Sequence, residues 1–61
     1  MSKFLSAQEV AIRLGVPAST VYSWAAKNEG PPSFKLGKHR KFDSDDLEAW
    51  VERMKRKGAQ L

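Results

Sequence analysis

The chain contains no cysteine, only one histidine and no long apolar run. Without cysteine there is neither a disulfide framework nor a thiolate metal site. The single histidine, His39, argues against a zinc fold or histidine-based catalysis. A membrane-spanning helix needs about 20 consecutive apolar residues, and Met1 leads into the sequence without a secretory pattern. These absences lead us to expect a cytoplasmic protein with no metal, no cofactor and no membrane partner.

Positive charge is what the chain has in excess. Its 61 residues carry 11 Lys and Arg against 7 Asp and Glu, which gives a formal net charge of +4. The length predicts a single small domain over residues 1–61, with an ordered part from about 4 to 57. A basic balance favours a polyanionic partner. The positions of the cations are stronger evidence for such a partner than their total number.

The first predicted helix runs from about Ser6 to Leu14. Ser6 and Glu9 have the spacing of a capping box, in which each side chain bonds the backbone N–H group of the other residue. Apolar residues at i, i+3, i+4 and i+7 then define one helical stripe: Ala7, Val10, Ala11 and Leu14. Gly15 supplies the positive φ that ends a helix without a Cβ penalty.

A second helix is predicted directly after this turn, from residue 17 or 18 to about residue 27 or 28. Pro17 fixes a φ suited to a first helical position, and Val21 and Trp24 turn one face inward. The small side chain of Ala11 lets the two helices approach closely. Together these features resemble the helix-turn-helix unit, whose second helix enters the major groove of DNA.

Residues 33–42 mix apolar and basic side chains around a glycine, which is the pattern of a two-stranded hairpin. A two-residue turn at 37–38 pairs Phe34 with Lys41 and sends Phe42 to the other face. A three-residue loop at 37–39 pairs Phe34 with Phe42 and puts both rings on the core face. We favour the second register.

The third helix is predicted to begin at Asp43 to Asp46, whose carboxylates cap it and suit its positive end. Gly58 is expected to stop it, and residues 59–61 are expected to fray. The last turns of this helix carry four basic residues: Arg53, Lys55, Arg56 and Lys57. They either complement the helix dipole or contact DNA or a protein partner, and the sequence leaves these alternatives open.

The apolar positions of all these elements define a predicted core. Its members are Phe4, Leu5, Val10, Leu14, Val16, Val21, Trp24, Phe34, Leu36, Phe42, Leu47, Trp50, Val51 and Met54. The fold predicted is mainly α with a small β-hairpin, a winged helix-turn-helix of three helices and a two-stranded wing.

In this order of elements the chain resembles the excisionase family of small DNA-binding proteins, whose domain is a winged helix related to the MerR-type DNA-binding domain. The likeness runs from about Phe4 to Val51. The residues that carry it are Leu5-Ser6, Glu9-Val10-Ala11, Leu14-Gly15-Val16, Thr20-Val21-Tyr22-Ser23-Trp24, Gly37, Arg40, Phe42 and Asp46-Leu47-Glu48-Ala49-Trp50. Pro17 and Pro31-Pro32 depart from the usual pattern of the family.

The resemblance implies a phage or mobile-element protein that acts on DNA in the bacterial cytoplasm or nucleoid and is not an enzyme. Such a protein is an architectural factor that bends attachment-site DNA and directs integrase toward excision. Its implied partners are double-stranded DNA, integrase and further copies of itself, associated head to tail along the DNA.

Two sets of residues are candidates for DNA contact. On the second helix we expect contacts from the hydroxyl-rich face opposite Val21 and Trp24, and from its far end: Ala18, Ser19, Thr20, Tyr22, Ser23 and Lys27. On the wing we expect contacts from a run of basic residues with no acid among them: Lys35, Lys38, His39, Arg40 and Lys41. The alternatives are an ordinary solvated helix face and a charged edge that deters strand pairing.

Other functions use the same surface. A small transcription regulator, or the DNA-binding domain of a terminase small subunit, keeps the DNA contact and changes the partner. A protein-interaction module belongs to a different class, in which the basic surface meets an acidic protein. Catalysis is not expected, because the sequence has no nucleophile–base pair, metal set or phosphate loop.

Overall fold

The computed structural model describes residues 3–59, so the predictions for Met1, Ser2, Gln60 and Leu61 lie outside the described range. Its elements in chain order are β1 (Phe4–Ser6), α1 (Ala7–Leu14), α2 (Ala18–Ala26), β2 (Phe34–Leu36), β3 (His39–Asp43) and α3 (Ser44–Ala59). The fold is mainly helical with a small antiparallel sheet, as a winged helix-turn-helix requires. None of the helices in residues 3–59 has the length and apolar character to span a membrane.

The first helix and the turn after it are confirmed. Ser6 is the N-cap of α1: its Oγ accepts from the Glu9 N–H group at 3.1 Å, and its own N–H group donates to Glu9 Oε1 at 2.9 Å. Gly15 follows the helix with φ 71°, and the next N–H group, of Val16, donates to the Ala11 carbonyl at 3.1 Å. Ala11 is buried, so its small side chain allows α1 and α2 to pack closely.

The sheet has three strands in the order β1-β3-β2. The predicted two-stranded wing is present as β2 and β3, and Phe4–Ser6 adds a third strand on the other side of β3. The register that we favoured is wrong, because Phe34 lies opposite Lys41 and Phe42 lies opposite Leu5. The chain uses the two-residue turn, whose twist matches that of the flanking strands.

That register decides which apolar side chains are buried, since neighbouring residues of a strand point to opposite faces. Leu5 and Phe42 lie on the inner face, against the helices, and both are buried. The two phenylalanines on the outer face, Phe4 and Phe34, pack against each other with ring centroids 5.3 Å apart and planes at 78°. Leu36 shares this outer face and is exposed.

The core is accordingly smaller than predicted. Its buried members are Leu5, Ala7, Val10, Ala11, Val21, Phe42 and Leu47, with Leu14, Val16, Ala18, Trp24, Trp50 and Val51 packed around them. Four predicted core residues were placed wrongly, because their side chains are exposed: Phe4, Phe34, Leu36 and Met54. The first three lie on the outer face of the sheet.

The third helix begins as predicted and ends later. Asp43 Oδ1 accepts from the N–H groups of Asp45, at 2.8 Å, and of Asp46, at 3.3 Å. The Ser44 N–H group donates to the Lys3 carbonyl at 2.8 Å, which ties the helix start to the beginning of the chain. The predicted stop at Gly58 is wrong, since α3 continues to Ala59. A run of good helix formers before Gly58 carries the helix through it.

Candidate nucleic-acid interface

The exposed side of α2 is a stripe of small and hydroxyl-bearing residues. Ser19, Tyr22, Ser23 and Ala26 follow each other at i, i+3, i+4 and i+7, and all four are exposed. Val21 lies on the opposite side and is fully buried. We call this set the α2 stripe. It carries no charge, and within residues 3–59 none of its hydroxyl groups makes a hydrogen bond to another side chain or to the backbone.

Three further predicted residues of this helix lie off the stripe. Ala18 was assigned to the outward face, and this is wrong because it packs against the core. Thr20 is half-buried, and Lys27 is exposed as the C-cap residue just past the helix. Sequence reasoning missed Ala26, although its position seven residues after Ser19 gives the signal.

The start of α2 differs from the starts of α1 and α3. Its N-cap is Pro17, which makes no side-chain hydrogen bond to the helix, and its first turn has no acidic residue. The first N–H groups of a helix have no partner within it, and they carry the positive end of the helix dipole. This end of α2 therefore suits a negatively charged group, such as a phosphate oxygen.

The basic residues of the wing do not form one cluster. By strand alternation Lys35 and Arg40, which lie opposite each other, share the inner side of the hairpin with Phe42. His39 and Lys41 lie on the outer side, and Lys38 is at the turn. Of the five predicted wing residues, Lys35 and Arg40 therefore lie together on one side of the hairpin. His39 and Lys41 lie on the other side.

Lys41 also has an acidic neighbour. It lies opposite Ser6, the cap of α1, and its charge is among the causes that lower the pKa of Glu9. The main cause is the hydrogen bond from the Ser6 N–H group to the Glu9 carboxylate, followed by the Ser6 hydroxyl. Lys41 therefore lies close enough to the start of α1 to act on the Glu9 carboxyl.

Arg40 is tied to the segment that connects α2 with the wing. Its Nη1 donates to Ser33 Oγ at 3.3 Å, in a partly buried contact. Ser33 lines a shallow groove together with Ala25 and Asn28, at the end of α2. The guanidinium group is therefore held against the segment that follows α2.

The connecting segment itself is fixed by close packing. Asn28 and Gly30 both have positive φ, 55° and 74°, and Pro31 is buried. Gly30 packs so closely on the Trp24 ring that a Cβ there would lie 2.9 Å from Cε3. This packing holds the connecting segment against Trp24 of α2.

The cations at the end of α3 are all exposed: Arg53, Lys55, Arg56 and Lys57. Lys55 forms an i,i+3 ion pair with Glu52 at 3.5 Å, which is the one ion pair within residues 3–59. Exposed pairs of this kind contribute little stability. Nothing in the contacts of these residues favours DNA over a solvated helix end.

A helix-turn-helix unit with an adjoining basic wing defines a DNA-binding class of protein. Residues 4–55 match the helix-turn-helix domain family, and the chain belongs to this DNA-binding family. No curated protein and no solved structure shows significant similarity to the chain.

Proposed function

We propose that this protein binds duplex DNA, with α2 in the major groove and the wing over the adjacent backbone or minor groove. The observation that carries this proposal is the α2 stripe, an exposed and uncharged helix face in a helix-turn-helix unit whose wing carries Lys35 and Arg40 opposite each other on its inner side. Uncharged hydroxyl groups suit close approach to base edges and phosphates, and cations suit phosphates. Helix-turn-helix domains of this kind are typically not enzymes, and no catalytic step is proposed.

The two surfaces have different roles. Ser19, Tyr22 and Ser23 contact base edges or phosphates, and Lys27 contacts phosphate beyond the end of α2. Ala18 takes part through its backbone N–H group, at the uncapped start of the helix, and Thr20 lies beside it.

Among the wing residues, Lys35, Lys38 and Arg40 make the main phosphate or minor-groove contacts. His39 and Lys41 are secondary, because they lie on the outer side of the hairpin.

The wider role that we propose is an excisionase-like accessory factor, which bends attachment-site DNA and helps integrase toward excision. Its support is the resemblance over most of the chain and the small size of the reading surface, a helix of 9 residues. Few base contacts give modest specificity, which neighbouring proteins on the DNA have to supplement. Bending a site costs about 1–6 kcal/mol, and contacts between bound proteins offset that cost.

Charge supports head-to-tail association of copies along the DNA. A groove between α1 and α3 is lined by three acidic residues, Asp45, Glu48 and Glu52, and by two basic ones, Arg13 and Lys55. The wing carries cations and no acid from Ser33 to Phe42. Contact between the acidic groove of one copy and the wing of the next is heterologous and repeats along a DNA helix. Equal affinity for one site and for a tandem array would contradict it.

The primary test is a titration of duplex DNA by fluorescence anisotropy at several salt concentrations. Four phosphate contacts, from Lys27, Lys35, Lys38 and Arg40, predict a slope of about −4 for log K against log salt. A protein-interaction module predicts no duplex binding at low salt, and that result would overturn the proposal.

The excisionase role needs its own experiment. Mobility shifts on the attachment-site DNA of the element that carries the gene are compared with and without its integrase. We expect cooperative binding with integrase and bending of the DNA, measured by energy transfer between dyes on the duplex ends. Duplex binding without bending and without any effect of integrase instead indicates a transcription regulator or a packaging protein.

A further inference from the structure

The α2 stripe lacks the side chains that read purines in the major groove. Between Pro17 and Ala26 there is no Arg, Lys, Asn or Gln. Arg and Lys recognise guanine through O6 and N7, and Asn and Gln recognise adenine through N6 and N7. The stripe therefore has no bidentate hydrogen-bonding partner for either purine.

Besides its hydroxyl groups, the stripe offers apolar surface. The Tyr22 ring is 52% exposed and is the largest side chain of the stripe. The methyl group of Ala26 lies one helical turn further along, next to Ser23. In the major groove the one apolar group on a base edge is the C5 methyl of thymine, which aromatic and alanine side chains contact.

The dimensions of the stripe limit how many bases it can read. Seven residues separate Ser19 from Ala26, which corresponds to about 10 Å along a helix. At about 3.4 Å per base along one strand, this length covers roughly three bases. Serine hydroxyl groups accept or donate and do not distinguish the four bases. Discrimination within this span therefore depends on the apolar contacts.

We propose that α2 recognises its site through the C5 methyl groups of thymine, with Tyr22 and Ala26 as the specificity-determining residues. This inference rests on the proposed function, because it assumes that α2 enters the major groove. The bound sites then contain A·T pairs beneath α2, and thymine is distinguished from the other bases by its methyl group.

The test uses the full chain and deoxyuridine, which lacks only the C5 methyl group of thymine and pairs with adenine in the same way. A binding site is first selected from randomised duplexes, and each thymine in it is then replaced singly. At one to three adjacent positions we expect the loss of the methyl group to weaken binding about four-fold, the value for burial of a single CH₂ group.

Protein variants assign the effect to the two side chains. In Tyr22→Ala the sensitivity to deoxyuridine disappears at the position that the ring contacts, and in Ala26→Ser it disappears at the neighbouring one. Both residues are exposed, so the fold is retained, and circular dichroism checks this. The matched control is Lys38→Ala at the turn of the wing, which weakens binding to thymine and deoxyuridine duplexes equally.

The experiment distinguishes failure of thymine recognition from failure of DNA binding itself. Equal binding of thymine and deoxyuridine at every position, selected sites without thymine, or sensitivity that survives in both α2 variants overturns this inference and leaves DNA binding intact. Absence of duplex binding at low salt overturns the proposed function, and the inference falls with it.

Discussion

Trp24 of α2 and Trp50 of α3 face each other with ring centroids 5.6 Å apart and ring planes at 54°. This contact joins α2, the helix that we propose binds in the major groove, to α3, the last helix of the chain. Both rings pack against the buried core and are themselves half-buried. Aromatic pairs in this geometry are stabilising beyond the area they bury. The orientation of α2 therefore depends on a contact far from its exposed stripe.

Removing either ring is expected to unfold most of the protein. Truncating a buried tryptophan costs roughly 3–5 kcal/mol, and a domain of this size has roughly 3–5 kcal/mol of stability in total. Half-burial of these two rings places Trp24→Ala and Trp50→Ala near the lower value. Thermal melts followed by far-UV circular dichroism measure the effect. The control is Tyr22→Ala, an exposed aromatic, and a cooperative melt near the parent temperature in either tryptophan variant would contradict the prediction.

Gly30 and Gly15 give a matched pair of backbone substitutions. Both have positive φ, 74° and 71°, where an alanine costs about 1–2 kcal/mol. At Gly15 an added Cβ meets nothing within 4 Å, whereas at Gly30 it lies 2.9 Å from Trp24 Cε3. We expect Gly30→Ala to lower the Tm more than Gly15→Ala, because it adds a clash with the ring to the same strain. Equal shifts of Tm in the two variants would show that the Trp24 contact is unimportant.

Gly58→Ala is expected to stabilise α3. The residue is inside the helix, has no positive φ, and an added Cβ meets nothing within 4 Å. Alanine is favoured over glycine in a helix interior by about 1 kcal/mol, and the gain is smaller in a last turn because helix ends fray. Helix content from circular dichroism and the Tm should both rise slightly. A fall in either would indicate that Gly58 ends the helix in solution.

The Glu9 carboxyl should titrate below its ordinary pKa of 4.5, because the Ser6 N–H group donates to it. A folded-state pKa below the unfolded value means that ionised Glu9 stabilises the fold above pH 4.5. That contribution is lost as the pH falls through the folded-state pKa. Carboxyl NMR titration measures the pKa directly. In Ser6→Ala the pKa should rise part of the way, since the effect of the Ser6 hydroxyl on the carboxylate is lost and the bond from the backbone N–H group remains. An unchanged pKa would show that the hydroxyl does not act on this carboxyl.

Arg40→Ala should weaken DNA binding and reduce the slope of log K against log salt by about 1. The variant also loses the bond to Ser33, so Ser33→Ala is its control: that change removes the bond and keeps the cation. We expect Ser33→Ala to bind almost as the parent does, and Lys41→Ala, on the outer side of the hairpin, to have a smaller effect than Arg40→Ala. Anisotropy titrations compare all three, and unchanged affinity in Arg40→Ala would remove this residue from the interface.

Local sequence patterns predicted the helices well. The capping box of Ser6 and Glu9, the turn at Gly15 and the Asp43 cap depend on contacts between residues at most five apart in the chain. Such contacts depend on side-chain chemistry and spacing, which a sequence displays directly. The same periodicity predicted the exposed positions of Ser19, Tyr22 and Ser23, but Ala18 packs on the core, Thr20 is half-buried and Ala26 was missed.

The sheet was harder to predict because strand pairing joins distant residues. The strand β1 pairs with β3 some 37 residues later along the chain, as Leu5 lies opposite Phe42. A hairpin register shift of one residue exchanges the two faces of a strand, so the favoured register buried Phe34 where the structure exposes it. The same alternation puts Lys35 and Arg40 on the inner side of the hairpin and His39 and Lys41 on the outer side.

The sequence by itself determined the helix-turn-helix unit, since its caps, glycine turn and apolar stripes are set by neighbouring residues. Only the tertiary structure decided that Arg40, and not Lys41, shares the inner face of the sheet with Phe42 and bonds Ser33 in the segment that follows α2. The physical reason is that pairing with other strands decides which face of a strand is buried. Leu5, 37 residues earlier in the chain, pairs with Phe42 in the core. Strand alternation then puts Arg40 on the inner face and Lys41 on the outer face.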